Sequence, residues 1–277
     1  MEISKTYQIA LNAIIGASEI IMTFYEQGFD TEIKSDGSPV TEADLASSNY
    51  LKQELANTEI PVVDEESLQV SYDIRKNWKQ NWCVDPLDGT KEFIKKNGEF
   101  AVNIALIENH KAIFGLIASP VNREILVGGL DFGVFILKFE DVSDFSKWKK
   151  IELPAEKKEN YSIIASRSHN SGLTMNFMEE IKTEFGVFDI ISKGSALKFF
   201  ELAKDEASIY PRFAPTMEWD IAAGQAILEE LGGKVFQAKT LESLIYNKEN
   251  LLNPSFVALT KFYANEFSEN FSLKFQK

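Results

Sequence analysis

Two aspartates, Asp85 and Asp88, stand three residues apart in the string Trp82-Cys83-Val84-Asp85-Pro86-Leu87-Asp88-Gly89-Thr90-Lys91-Glu92-Phe93. An apolar stretch runs straight into them, so the spacing predicts a strand that ends in a stiff turn. Pro86 fixes its own φ and has no N–H to donate, and Gly89 admits backbone angles closed to other residues. Carboxylates held this close repel each other unless a cation lies between them; taken alone, a solvated acidic turn explains the pair as well. Further acids fall at comparable places. Ile60-Pro61-Val62-Val63 reads as a short strand delivering Asp64, Glu65 and Glu66. Asp220 sits in the first turn of a helix predicted over Glu218–Leu231, where the macrodipole alone accounts for a negative charge. Thr41 and Asp44 have the spacing of a capping box with aspartate in place of glutamate, a structural role that explains both without chemistry.

Collected, Glu65, Asp85, Asp88 and Asp220 are hard oxygen donors of the kind magnesium takes while keeping waters and leaving room for a phosphate. Two histidines and one cysteine do not furnish a zinc or iron cage. That cysteine, Cys83, excludes an internal disulfide and reads as a packing thiol between Trp82 and Val84. With 29 basic against 42 acidic residues the net charge is −13, a mean field that repels nucleic acid polymers and anionic membranes. A phosphate ligand would need local cations or bound metal. The N-terminal stretch lacks a basic region followed by a continuous apolar run, and no window is read as reaching the ~20 apolar residues of a membrane span. A cytoplasmic protein is the expectation, with peripheral association at the inner membrane left open.

The elements that must position these groups change rhythm midway. A helix over Ser4–Gln27, a turn-rich loop from Lys34 to Val40 and a helix from Thr41 to Asn57 come first. Ala101–Glu108 and Ala112–Pro120 form a hairpin signature around Asn109, His110 and Lys111, extended by Arg123–Gly129 and Gly133–Phe139. After a polar interval, Asp141–Asn160, strands and helices alternate: Tyr161–Ala165, Gly172–Phe185, Val187–Ile191, Ser195–Ala203, Ala207–Tyr210 and Glu218–Leu231. This predicts a helix-flanked antiparallel sheet over residues 1–150 followed by a mixed-sheet α/β half over 151–277, with a site between them.

The string VDPLDGTKEF, with DEES before it and EWDIAAGQA after it, resembles the inositol monophosphatase-like family of magnesium-dependent phosphatases. The segments NGEFAVNIALIE, SRSH, KGSALKF and YPRFAPTMEWD look like one branch of it. That branch is the bacterial 3'(2'),5'-bisphosphate nucleotidases, which remove the 3'-phosphate of adenosine 3',5'-bisphosphate to leave AMP. The match runs from PVTEAD to LLNPSF. It implies an α-β-α-β-α layered sandwich, and two or three magnesium ions held by Glu65, Asp85, the Leu87 carbonyl, Asp88 and Asp220, with Asp85 bridging. Thr90 and Asp44 match the pair that orients and deprotonates the attacking water, with Glu65 at the same catalytic centre. Substrate would meet Glu65, Leu87, Asp88, Gly89, Thr90 and Asp220 on the metal side. His169, Ser195, Lys198 and Arg212 match the nucleotide side, Lys198 and Arg212 as cations for a second phosphate and Gly194-Ser195 as a helix start offering amides. Read without the family, His169 is a surface histidine. Lithium inhibition and a place in sulfur assimilation are also implied. An inositol monophosphatase or sugar bisphosphatase shares the metal site and is the alternative; a silent nucleotide-binding protein leaves the convergence of acids unexplained. Asp64 receives no role, and the oligomeric state, monomer or dimer, stays open.

Overall fold

The structure is a computed structural model and describes residues 3–35, 37–152, 161–165 and 172–264. Helix α1 (Lys5–Gln27) is capped by Ser4, whose hydroxyl accepts the Tyr7 amide at 3.2 Å. A small hairpin, β1 (Thr31–Ile33) with β2 (Pro39–Thr41), leads into α2 (Glu42–Leu55). Then come β3 (Val62–Asp64), the short α3 (Tyr72–Arg75), β4 (Gln80–Asp88) and α4 (Thr90–Ile94). Strands β5 (Ala101–Glu108), β6 (Lys111–Ser119), β7 (Glu124–Gly129), β8 (Gly133–Lys138) and β9 (Lys149–Lys150) complete a seven-stranded sheet in chain order, β3 to β9. All its pairings are antiparallel except β3 on β4. Asn109 and His110 take positive φ, 47° and 67°, so the predicted hairpin closes through a tight two-residue turn.

The second half contributes β10 (Ser162–Ala165), α5 (Gly172–Phe185), β11 (Asp189–Ser192), α6 (Lys198–Ala203), β12 (Ile209–Arg212), α7 (Glu218–Glu230), β13 (Lys234–Gln237) and β14 (Phe256–Leu259). Its sheet has the order β11-β10-β12-β14-β13, parallel across the first three strands and antiparallel across the rest. Side-chain alternation sorts the layers. Val102, Ile104 and Leu106 of β5 pack with α1 and α2, while Ala101, Ala105 and Ile107 on its other face pack with α6, α7 and the inner face of the second sheet. The outer face of that sheet, with Ile163, Ile209 and Val257, is covered by Phe177, Met178 and Ile181 of α5. The order is α-β-α-β-α, as the resemblance implies. Helix α7 lies so close to β6 that a Cβ at Gly115 would come within 2.2 Å of the Ala223 carbonyl oxygen. A glycine there sets how near the middle of α7 stands to the first sheet.

Four expectations are corrected. Strand β4 does not end before the acids but runs through them. Residues 195–197 are not helical, and α6 begins at Lys198. The strand expected over Ala207–Tyr210 lies at Ile209–Arg212; β10 pairs with it only at Ile209, which lets Pro211 occupy a strand without costing a ladder bond on that side. Finally, α1, 23 residues long, contains an 18-residue window with a mean hydropathy of 1.3, so by length and composition alone it passes as a helix that could cross a membrane; its polar residues gather toward the two ends. One flank is spent internally: Ala10, Leu11, Ala13, Ile14, Ala17 and Ile21 are fully buried in the core shared with α2 and the first sheet.

Candidate active site

The β4–β5 register runs regularly from Gln80 opposite Glu108 to Asp85 opposite Asn103, then resumes one residue out of step with Asp88 opposite Ala101. The acids therefore flank a β-bulge within a paired strand. Pro86, which cannot donate to the ladder, sits in the bulge, and the Ser47 hydroxyl of α2 holds its carbonyl at 2.8 Å. The Asp85 Oδ1 accepts the Leu87 amide at 3.0 Å, so the first acid braces its own turn. Gly89 has φ +95°, and a Cβ there would stand 3.1 Å from the Glu99 carbonyl and 3.2 Å from the Ser195 Cβ. Glycine is needed for the angle and for the close approach of the 195 segment.

Asp44 does form the predicted capping box. Its Oδ2 accepts the Thr41 amide at 2.7 Å and the Thr41 hydroxyl, while its Oδ1 accepts the Thr90 hydroxyl at 2.9 Å. One carboxylate thus serves the cap with one oxygen and the bulge with the other. Burial raises the Asp44 carboxyl above its ordinary range, against the opposing hydrogen bonds from Thr41 and Thr90. A buried base of raised affinity is suited to taking a proton.

Among the described residues, Glu65, Asp85 and Asp220 each place a carboxylate oxygen so that all lie within 4.8 Å of one another. Asp220 stands at the third position of α7, its Oδ2 accepting the Met217 amide at 2.8 Å. Asp88 lies beside this group; its Oδ2 accepts the Ala196 amide at 2.5 Å, and the Leu87 carbonyl accepts from Thr90 at 3.4 Å. Burial first, then repulsion from Glu65, Asp88 and Asp220, pushes the Asp85 carboxyl well above the usual range. Asp220 is raised by burial and by Asp88 and Glu65. Lys34 donates to Glu65 at 3.0 Å and also to Glu66. Oxygen donors this concentrated and this short of cations fit a hard divalent metal.

That electrostatic state predicts a pH dependence. Because Asp85 and Asp220 bind protons more tightly folded than unfolded, their contribution to stability is intact below the ordinary carboxylate pKa of about 4 and is lost as pH rises through their raised folded values. The metal-free protein should lose thermal stability over that rise. Added magnesium should restore it, with a Tm gain that grows with pH; scanning calorimetry showing a pH-independent gain would place the ion elsewhere.

The opposite wall of the cleft is built from Ser195, Lys198, Tyr210 and Arg212. Ser195 takes a left-handed φ of +46°, which is why no helix starts there, and the adjacent Ala196 amide is occupied by Asp88 rather than open to an anion. Lys198 is buried, and burial lowers its ammonium to about 8 despite the attraction of Asp88. It donates to the carbonyls of Ser195 and of Lys193, the latter at 3.4 Å, and lies over the Tyr210 ring at 5.1 Å. Lys198 therefore braces the 193–197 turn, while Arg212 keeps a buried Nε with no hydrogen-bond partner among the described residues. His169 and the SRSH segment lie outside the described residues.

Asp64 is structural. It is buried and accepts from the Ser48 hydroxyl at 2.6 Å and from the Ser67 hydroxyl. Sequence reasoning missed Lys34, Ser47, Glu99 and Asn103. Glu99 accepts the Gly194 amide at 2.9 Å and so steers the same turn. Asn103 carried a signal, a lone amide inside the apolar run AVNIALI; the others did not.

Fold and acids together define a family. The model of the inositol monophosphatase family matches residues 2–270, and the chain belongs to that family, which is metal-dependent. Among proteins similar to it is the 3'(2'),5'-bisphosphate nucleotidase CysQ of Buchnera aphidicola subsp. Acyrthosiphon pisum, 37% identical over 254 residues that cover 87% of this chain and 89% of that protein. The CysQ of Escherichia coli strain K12 is 34% identical over 265 residues, 92% of this chain and 98% of that one. Of solved structures, CysQ from Bacteroides thetaiotaomicron superposes with a TM-score of 0.80 at 38% identity, covering 91% of this chain and 96% of that one.

Proposed function

We propose that this chain is a magnesium-dependent phosphatase that hydrolyses the 3'-phosphate of adenosine 3',5'-bisphosphate to AMP and phosphate. The observation that carries this reading is the Thr90 hydroxyl, 2.9 Å from Asp44, in a cleft lined by Glu65, Asp88 and Asp220 and, on its far wall, Arg212, with the buried Asp85 carboxylate within 4.8 Å of those of Glu65 and Asp220. The CysQ relatives supply the substrate class. Glu65, Asp85, Asp88, Asp220 and the Leu87 carbonyl are the residues that would hold the ions, two or three by the family pattern. When bound, magnesium supplies Lewis acidity toward the phosphoryl oxygens and lowers the pKa of water.

The chain's own residues do the rest. Thr90 donates a hydrogen bond to Asp44, which leaves its oxygen lone pairs to accept from the attacking water and aim it. As the water oxygen bonds to phosphorus and the bond to the 3'-oxygen breaks, a proton passes through Thr90 to Asp44, and the leaving oxygen is protonated from solvent. Gly89 and Pro86 keep the bulge fixed while charge moves. Arg212, whose Nε has no hydrogen-bond partner among the described residues, would meet the phosphate that is not cleaved. We extend the reading to a cytoplasmic enzyme serving sulfur assimilation and inhibited by lithium, with a boundary near residue 150 between the metal-bearing and substrate-selecting halves.

Phosphate release across adenosine 3',5'-bisphosphate, inositol 1-phosphate and fructose 1,6-bisphosphate tests the assignment. The nucleotide should turn over fastest, and equal or reversed rates overturn the substrate. Arg212→Met should raise KM for the nucleotide ~10–100-fold, the worth of a charged hydrogen bond, with little change for inositol 1-phosphate.

A further inference from the structure

We infer that Asn103 is a positioning residue that fixes Asp88, on the β4 bulge, relative to the start of α7 that carries Asp220; the inference rests on the metal-site reading above. Strand β5 turns Ala101, Ala105 and Ile107 toward the α7 layer, and residue 103 shares that face by alternation. An amide stands there, 1% exposed, where the pattern calls for a small apolar side chain. Its Nδ2 lies 3.4 Å from the Asp88 Oδ2 and 3.5 Å from the Trp219 carbonyl. Both partners only accept, so the nitrogen must face them and the amide orientation is fixed.

The side-chain NH₂ carries two N–H donors, one for each acceptor. What they join is specific: one acceptor is an acid of the sheet, and the other is the residue directly before Asp220 on the helix. Asp88 Oδ2 also takes the Ala196 amide, so the same oxygen ties the sheet, the helix start and the 193–197 turn together. The Asn103 Oδ1 is buried and has no hydrogen-bond partner among the described residues. A buried idle acceptor is unfavourable, and an apolar side chain of the same size would avoid it. The residue is therefore better explained by its donor than by packing. It touches no reacting atom, and it acts through the acids it holds.

The test compares wild type with Asn103→Leu, which keeps the branched shape at a somewhat larger volume and removes the donor, and Asn103→Ser, which keeps a shorter donor. Titration calorimetry of magnesium into the metal-free protein should show ~10–100-fold weaker binding for Asn103→Leu, the usual loss when an outer partner of a ligand is removed, and a partial return for Asn103→Ser. At saturating magnesium the KM for adenosine 3',5'-bisphosphate should stay at the wild-type value. Unchanged magnesium affinity in Asn103→Leu, with activity following only the melting temperature, overturns the inference and leaves the site reading standing. Should Asn103→Leu not fold, wild-type affinity in Asn103→Ser overturns it equally. If wild type itself binds no magnesium, the site reading falls first.

Discussion

Asp85→Asn should lose at least ~10³-fold in magnesium-dependent phosphate release, while its metal-free form melts at a higher temperature than wild type. The two effects have one cause. Asparagine keeps the shape and an acceptor oxygen for the Leu87 amide, so the 3.0 Å brace of the bulge survives. What disappears is a 1% exposed carboxyl that, without metal, must either hold its proton well above the usual range or carry a negative charge repelled by Glu65, Asp88 and Asp220. Without metal, removing that charge relieves the fold. With metal, the same charge is what draws the ion in, and Lewis-acid stabilisation is worth several kcal/mol, hence the ~10³-fold. Calorimetry and a phosphate assay on matched samples check both. A variant that melted lower than wild type without metal would mean that Asp85 is a structural acid, and wild-type turnover would remove it from the metal site.

The parts of this site that were legible in the sequence are those whose cause is local. Thr41 and Asp44 have a capping spacing that needs no tertiary contact, and the hairpin through Asn109 and His110 follows from alternation on either side of a turn. Gly172–Phe185 is helical over the expected bounds because its periodicity and Gly186 decide it. The bulge was not legible, because whether Asp85-Pro86-Leu87-Asp88 ends a strand or interrupts one depends on β5 continuing to pair beyond it. Nor was the delayed start of α6, since the 193–197 turn is held by Glu99 and Asp88 from 95 and 108 residues away in the chain. Strands β13 and β14 are short and pair with each other, and β14 also pairs with β12, so their order comes from the sheet. The acids were found by residue type and family pattern; that Lys198, which lines the cleft with Arg212, also braces the 193–197 turn took the fold to show.

Thr90→Val should cost ~10²–10⁴ in kcat, the range attributable to a positioned proton acceptor, with magnesium affinity and KM unchanged. Valine preserves the β-branched shape and deletes one oxygen, so stability should fall by only the ~1–3 kcal/mol of leaving the buried Asp44 Oδ1 without its donor. Asp44→Asn should cost a comparable factor by a different route. If its amide oxygen keeps the Thr41 cap, its NH₂ must face Thr90, and the hydroxyl becomes an acceptor where it was a donor. The proton path from water through Thr90 to Asp44 is then closed at its second step rather than its first. Two residues acting in series lose one path, not two, so the double variant should be no slower than the slower single variant. Losses that multiply would show that Thr90 and Asp44 act independently, and that the 2.9 Å contact between them is a structural bond rather than a relay.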